Sequence, residues 1–174
     1  MSDITIHRLT EPPDRDKMNA LLLGYYEGMI AGLLSVGGPK VDPNDPISDF
    51  WDHIDQFLPP DGALLIARQG DHWVGTGALR TLPGARAELK RLYVLPETRG
   101  TGLGRRLVTE RLDIARDLGL KKALVDTLPT TTEMQALYTK LGFRKCGPYP
   151  ESASYVTMPH IRDFLLFFEK DLTE

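Results

Sequence analysis

Between Val94 and Leu107 the chain reads Val94-Leu-Pro-Glu-Thr-Arg99-Gly-Thr-Gly102-Leu-Gly104-Arg-Arg-Leu107, with three glycines alternating just behind an arginine. Glycines let a ligand approach the backbone without meeting a Cβ. If a helix starts here, its first N–H groups lack internal partners and the aligned peptide dipoles add about half a positive charge. Arg99, Arg105 and Arg106 add full charges suited to phosphate oxygens. These residues describe an anion cradle, best suited to a pyrophosphate.

The flanking elements place the cradle at a strand-to-helix junction. Glu88 to Val94 is an extended run closed by Pro96, which cannot donate to a sheet ladder. Beyond Gly104 the apolar residues Leu103, Leu107, Val108, Ile114, Ala115 and Leu118 recur at helical spacing. Arg105, Arg106, Glu110, Arg111 and Asp117 lie largely off that face, and Gly119 ends the helix. Nucleotide loops are excluded by spacing. A Walker loop needs a Lys-Ser/Thr pair that is absent here, and in a dinucleotide fingerprint the third glycine would fall on Arg105 or Leu107.

Composition narrows the function classes. A chain of 174 residues, 41% hydrophobic and 26% charged, has the make-up of one soluble domain, residues 1–174. A formal charge of −3 gives no general reason to bind nucleic acid. Cys146 is the only cysteine, so no internal disulfide forms, and it is expected to be an ordinary strand residue. No apolar run approaches the roughly 20 residues that span a bilayer, and Met1–Leu9 lacks a signal core. A cytoplasmic location without membrane contact is expected. The histidines His7, His53, His72 and His160 show no metal-ligand spacing, so no metal is expected. No Ser/His/Asp or Cys/His hydrolase motif is present.

In chain order, Ile4–Arg8 reads as a strand and Asp16–Leu34 as a helix, in which Gly24, Gly28 and Gly32 either permit close packing or break it in two. Ser35–Asp49 reads as a loop and Ser48–Phe57 as a short amphipathic helix. Ala63–Arg68 and Trp73–Leu79 form a hairpin around Gly70-Asp71, and Pro83-Gly84 turns into the central strand Ala87–Val94. After the cradle helix come a strand Lys122–Asp126, a helix Thr130–Leu141 and a strand from Phe143. A loop, Gly147–Pro159, then leads to an apolar strand, Phe164–Phe168, buried on both faces.

The Arg99-x-x-Gly102-x-Gly104 pattern, between strand and helix, resembles the acyl-CoA-binding motif of the GNAT family of N-acetyltransferases. Leu137-Tyr138-x-x-x-Gly142-Phe143 is similar to a second element of that family, and the order of strands and helices matches over nearly the whole chain. The resemblance implies a single-domain α/β fold with a mixed, mostly antiparallel, twisted central sheet flanked by helices. It also implies transfer of an acetyl group from acetyl-CoA to a primary amine by direct attack in a ternary complex.

Site residues follow from the same resemblance. Glu88 corresponds to the glutamate proposed as general base in several members, the alternative being a solvated strand-edge glutamate paired with Arg86 or Lys90. Tyr138 corresponds to the tyrosine beside the thioester sulfur, a candidate acid, the alternative being a core residue on the stripe of Met134 and Leu141. Leu92, Tyr93 and Val94 would carry the pantetheine arm through their backbone. Arg99, Gly100, Thr101, Gly102, Leu103, Gly104 and Arg105 would hold the phosphates. Thr131 stands where the family often has an asparagine that touches pantetheine, and Met134 where it often has alanine. The acceptor side is expected from Tyr25, Tyr26, Phe50 and Trp51, with Asp126 either attracting a cationic substrate or capping the following turn. Aromatic and acidic groups suit a small amine, amino acid or polyamine-like. A protein N-terminus or lysine is the alternative acceptor, and a non-catalytic acyl-CoA-binding module the alternative class. The resemblance further implies a homodimer, with Phe164–Phe168 either an internal strand or part of the interface.

Overall fold

The computed structural model describes residues 3–173. Seven strands form one sheet in the spatial order β1-β2-β3-β4-β5-β7-β6. They are β1 (Ile4–Arg8), β2 (Gly62–Gln69), β3 (His72–Leu82), β4 (Arg86–Val94), β5 (Lys122–Thr127), β6 (Arg144–Cys146) and β7 (Leu166–Asp171). Every neighbouring pair is antiparallel except β4 and β5. A parallel neighbour requires a crossover, and the cradle helix α3 (Leu103–Asp117) supplies it. The remaining helices are α1 (Arg15–Ser35), α2 (Asn44–Asp52), α4 (Thr132–Lys140) and α5 (Ala153–Thr157). None among the described residues is long and apolar enough to cross a membrane.

Side chains alternate between two buried faces, which explains the uninterrupted apolar run in β2. Ala63, Leu65 and Ala67 pack with Leu103, Leu107 and Leu112 of α3. Leu64 and Ile66 pack on the other face with Met18, Leu21 and Leu22 of α1 and Phe50 of α2. A third cluster, around Leu33, Leu124, Tyr149 and Phe167, closes the β5–β7 end.

Helix α1 is continuous. Asp14 caps it by accepting from the Lys17 amide at 2.9 Å, and its glycines permit close approach. A Cβ on Gly24 would lie 2.5 Å from the Tyr93 hydroxyl, and one on Gly32 would lie 2.5 Å from Thr130 Oγ1.

Three expectations are corrected. Helix α2 starts at Asn44 rather than Ser48, with Pro46 in its first turn, where a missing N–H costs nothing. The apolar strand lies two residues later than expected. Phe164 ends a 3-10 turn (Pro159–Phe164), and β7 runs from Leu166 between β5 and β6, so the apolar run is internal. The loop before it contains α5, capped by Ser152 Oγ accepting from the Tyr155 amide at 3.2 Å.

Arg111 is the fourth and largest correction, because its side chain is fully buried. The β3–β4 ladder passes from Thr76↔Tyr93 to Ala78↔Lys90, so three steps on β4 oppose two on β3. This is a bulge, with Arg91 at φ +52°. It interrupts the ladder, and Arg111 donates to the carbonyls of Ala78 (2.9 Å), Lys90 (3.1 Å) and Leu107 (3.0 Å). Gly77 makes room, since a Cβ there would lie 2.9 Å from Arg111 Nε. Burial lowers the arginine's pKa to about 10.

Candidate active site

The Arg99–Gly104 turn falls at the junction of β4 and α3, where the sequence places it. Gly100 and Gly102 adopt φ +78° and +82°, and a Cβ on either would meet nothing within 4 Å. Both therefore face open space in a conformation that favours glycine. Helix α3 has no side-chain cap and no acidic residue in its first turn. These features fit an approaching phosphate rather than an internal partner.

An open groove of about 630 Å³ runs along this turn. It gathers Leu92, Tyr93, Val94, Arg99, Gly100, Gly102, Leu103, Gly104, Arg105 and Thr131. Its far wall, which the sequence reading missed apart from Thr131, runs from Thr130 to Met134 with Leu137. Thr101 turns away from the groove and donates to the Thr98 carbonyl at 2.7 Å. Arg106 donates to the Ile4 carbonyl at 3.0 Å and so ties α3 to β1.

At its inner end the groove meets a split in the sheet. Strands β4 and β5 pair only at Arg86↔Lys122, Ala87↔Ala123 and Glu88↔Leu124, although both continue further. The split is lined by Leu89–Leu92, Val125–Thr127, Tyr25, Met29, Thr131, Met134 and Tyr138. Tyr138 serves core and cleft together. Its ring packs 5.2 Å from Phe143 and 6.1 Å from Phe168, and it also lines the split. Burial pushes its phenol up to about 12, against the opposing pull of Arg111, so it stays protonated at neutral pH.

Asp126 also lines the split and does not cap the next turn, where Thr131 Oγ1 bonds instead with Thr127 Oγ1 and the Leu128 carbonyl. Its carboxylate faces Lys90 Nζ at 3.2 Å and accepts from Ser152 Oγ at 2.6 Å and Ser154 Oγ at 3.3 Å.

Glu88 has no exposed surface. Its Oε2 accepts from Arg80 Nε at 2.5 Å, and its Oε1 accepts from Tyr149 Oη and the Ala153 amide, each at 3.2 Å. Lys90 Nζ stands 3.6 Å from Oε1, so Lys90 bridges the enclosed Glu88 and the cleft-lining Asp126. Arg80 also donates to Gln56 Oε1 at 3.0 Å and to the Glu151 carbonyl at 2.6 Å, and Arg86 pairs with Glu151.

Of the expected acceptor aromatics, Tyr25 lines the split, whereas Tyr26 is buried and accepts from Arg91 Nε at 3.1 Å. Phe50 is fully enclosed and stacks on Phe57 at 5.7 Å. Trp51 is held by Asn19 at 2.7 Å and covered by Arg15, so it braces α2 against α1. A second cleft of about 180 Å³ opens between α2, β3 and α5, lined by Asp49, His53, Gln56, Arg80, Arg91 and Ala153 among others. Arg91 lines both clefts.

The sequence reading offered Lys90 as a partner of Glu88 and missed Arg80, Arg91, Arg111, Tyr149 and Ser152. Only Arg80 carried a signal: folding the strands back about Pro83-Gly84 places it opposite Glu88, the register observed.

A glycine-rich turn at a helix N-terminus, beside a split between parallel strands lined by a tyrosine, is an arrangement suited to acyl-CoA chemistry. The chain belongs to the acetyltransferase (GNAT) family, whose model matches residues 18–143. It is an acyl-CoA-dependent acetyltransferase. An uncharacterised N-acetyltransferase of Schizosaccharomyces pombe is 31% identical over 153 residues, 85% of this chain and 87% of that one. Among solved structures, a GNAT-family acetyltransferase from Staphylococcus aureus superposes with a TM-score of 0.75 at 18% identity, covering 98% of this chain and all of that one. The PaiA N-acetyltransferase of Thermoplasma acidophilum, solved with coenzyme A, gives 0.72 at 18% identity, covering 97% of this chain and 99% of that one.

Proposed function

We propose that the chain acetylates the primary amine of a small molecule, an amino acid or polyamine-like compound, by direct attack with both substrates bound. The observation that carries this reading is the early end of the β4–β5 ladder at Glu88↔Leu124, beside the glycine cradle. It creates one continuous path with phosphate-binding amides at one end and the Tyr138 phenol and Asp126 carboxylate at the other. The modest size of the α2–α5 cleft supports a small acceptor over a folded protein surface.

Acetyl-CoA, when bound, supplies the thioester that the amine attacks. The α3 amides, Arg99 and Arg105 hold the pyrophosphate, and the freed backbone of Leu92–Val94 carries the pantetheine arm. Tyr138 gives its proton to the departing sulfur and regains one from solvent. The amine must lose a proton to attack, since a lysine-like amine titrates near 10.4 in water. That proton passes into the Asp126–Lys90–Glu88 cluster, with Lys90 giving one to Glu88 as it accepts one from the amine. Glu88 thus acts as a base through Lys90 rather than by contact.

Calorimetric titration with acetyl-CoA, using NADH and ATP as controls, tests the cradle. Binding of acetyl-CoA alone, weakened in Arg99→Ala in a salt-dependent way, supports it. An amine screen that detects released thiol then tests turnover. Binding without turnover on any small amine or peptide would favour a regulatory acyl-CoA-binding module instead. Light scattering reads the homodimer that the family resemblance suggests.

A further inference from the structure

Arg91 is the residue at which the β4 bulge turns the chain. On an unbroken strand its side chain would follow Leu89 to the α3 face. The bulge keeps it on the side of Lys90 instead, over the rings of Phe50 and Phe57 at 5.1 and 5.0 Å. Left-handed backbone is disfavoured for a non-glycine residue, and such outliers concentrate at functional sites.

In this position the guanidinium is short of partners. It is 4% exposed. Nε donates to the Tyr26 hydroxyl. Nη2 stands 3.9 Å from Asp49 Oδ2, beyond hydrogen-bond reach. Nη1 is buried with no hydrogen-bond partner. A cation removed from water without a close anion is costly. Arg80, by contrast, sits 2.5 Å from a carboxylate and makes two further bonds.

The rest of the acceptor side points the same way. Glu88 and Asp126, which would draw in a polycation, already face Arg80 and Lys90. Among the described residues, Arg91 alone lines both the cleft of Tyr138 and the α2–α5 cleft. Asp49, at 27% side-chain exposure, sits at the rim with Oδ1 facing His53 Nδ1 at 3.2 Å, and an entering carboxylate can take the place of its distant Oδ2 beside Arg91. We infer that Arg91 receives a carboxylate carried by the acceptor, so that the acetylated amine belongs to an amino acid and not to a polyamine. This rests on the amine-acetylation reading above. Arginine suits the task because its planar fork grips a carboxylate with two parallel N–H bonds.

The test compares kcat/KM for the standard amino acids with that for their decarboxylated amines and for spermidine. Wild type should prefer the amino acid over its decarboxylated partner by roughly a hundredfold, since removing the carboxylate again leaves Arg91 without an anion. In Arg91→Met, whose stem still packs on Phe50 and Phe57, the preference should vanish while KM for acetyl-CoA holds. Arg91→Lys should recover part of it. Equal use of decarboxylated amines or spermidine by wild type, or an intact preference in Arg91→Met, overturns the inference. If no amine is consumed although acetyl-CoA binds, the amine-acetylation reading fails, and equilibrium dialysis of the same amino acids against the CoA-bound protein decides Arg91. Saturable binding lost in Arg91→Met then supports the carboxylate site, and no binding to wild type overturns it.

Discussion

Glu88 Oε2 stands 2.5 Å from Arg80 Nε, with the carboxylate wholly shielded and the guanidinium side chain 17% exposed. The two are direct cross-strand partners on β4 and β3, and Arg80 lines the α2–α5 cleft. Removing one partner of such a pair leaves the other charge uncompensated, which typically costs about 3–5 kcal/mol.

Glu88→Gln should therefore lower unfolding free energy by about 3 kcal/mol in urea melts, and Glu88→Gln combined with Arg80→Met should restore most of that. Turnover separates the structural role from the chemical one. With Glu88 acting as base through Lys90, the double variant stays slow near neutral pH and less so near pH 10, where a lysine-like amine loses its proton unaided. Wild-type turnover in the double variant would reduce Glu88 to a structural anchor.

Tyr138→Phe should cut kcat roughly a hundredfold, by the same factor from about pH 6 to about pH 10, because the buried phenol keeps its proton throughout. An unchanged kcat would remove Tyr138 from the proton path. Stability carries the same signature. The folded phenol titrates at about 12 and the unfolded one near 10, so the folded state binds more protons in between. Wild type should thus lose stability relative to Tyr138→Phe as pH rises through that window, which chemical denaturation at stepped pH will show.

Two glycines one helical turn apart should respond differently to alanine. Gly28→Ala adds a Cβ that meets nothing within 4 Å, so it should stabilise by about 0.5–1 kcal/mol through helix propensity alone. Gly24→Ala drives a Cβ into the Tyr93 ring, whose displacement intrudes on the groove. Its thermal midpoint should change little while acetyl-CoA affinity drops several-fold. Equal calorimetric affinity in both variants would mean that α1 does not wall the groove.

Arg111→Met should destabilise by at least about 2 kcal/mol, since three buried carbonyls lose a charged donor. Because two of them flank the bulge, amide exchange should quicken at Lys90–Leu92 before it does in β2. Unchanged exchange there would separate Arg111 from the bulge.

Local chemistry made much of this protein readable from its sequence. Glycine, proline and helical periodicity act within a few residues. They marked the cradle from Arg99 to Gly104, the strand that feeds it and the helix stops at Gly119 and Gly142. They also placed Tyr138 on a helix beside a glycine-phenylalanine turn, although not its double role in core and cleft.

Tertiary structure decided where charge could be buried. Nothing near Arg111 marks it as internal. It is buried because an extra residue in β4, a property of register between two strands, interrupts the ladder and leaves carbonyls for it to satisfy. The same bulge turns Arg91 toward Phe50 and Phe57. Glu88 reads as a solvated strand glutamate until Arg80, Tyr149 and Ala153 close around it, the last two from more than sixty residues away. Side-chain type and spacing set what each segment can do alone. Which polar groups lose water, and which partner then compensates them, depends on contacts between distant segments, and only the assembled sheet specifies those.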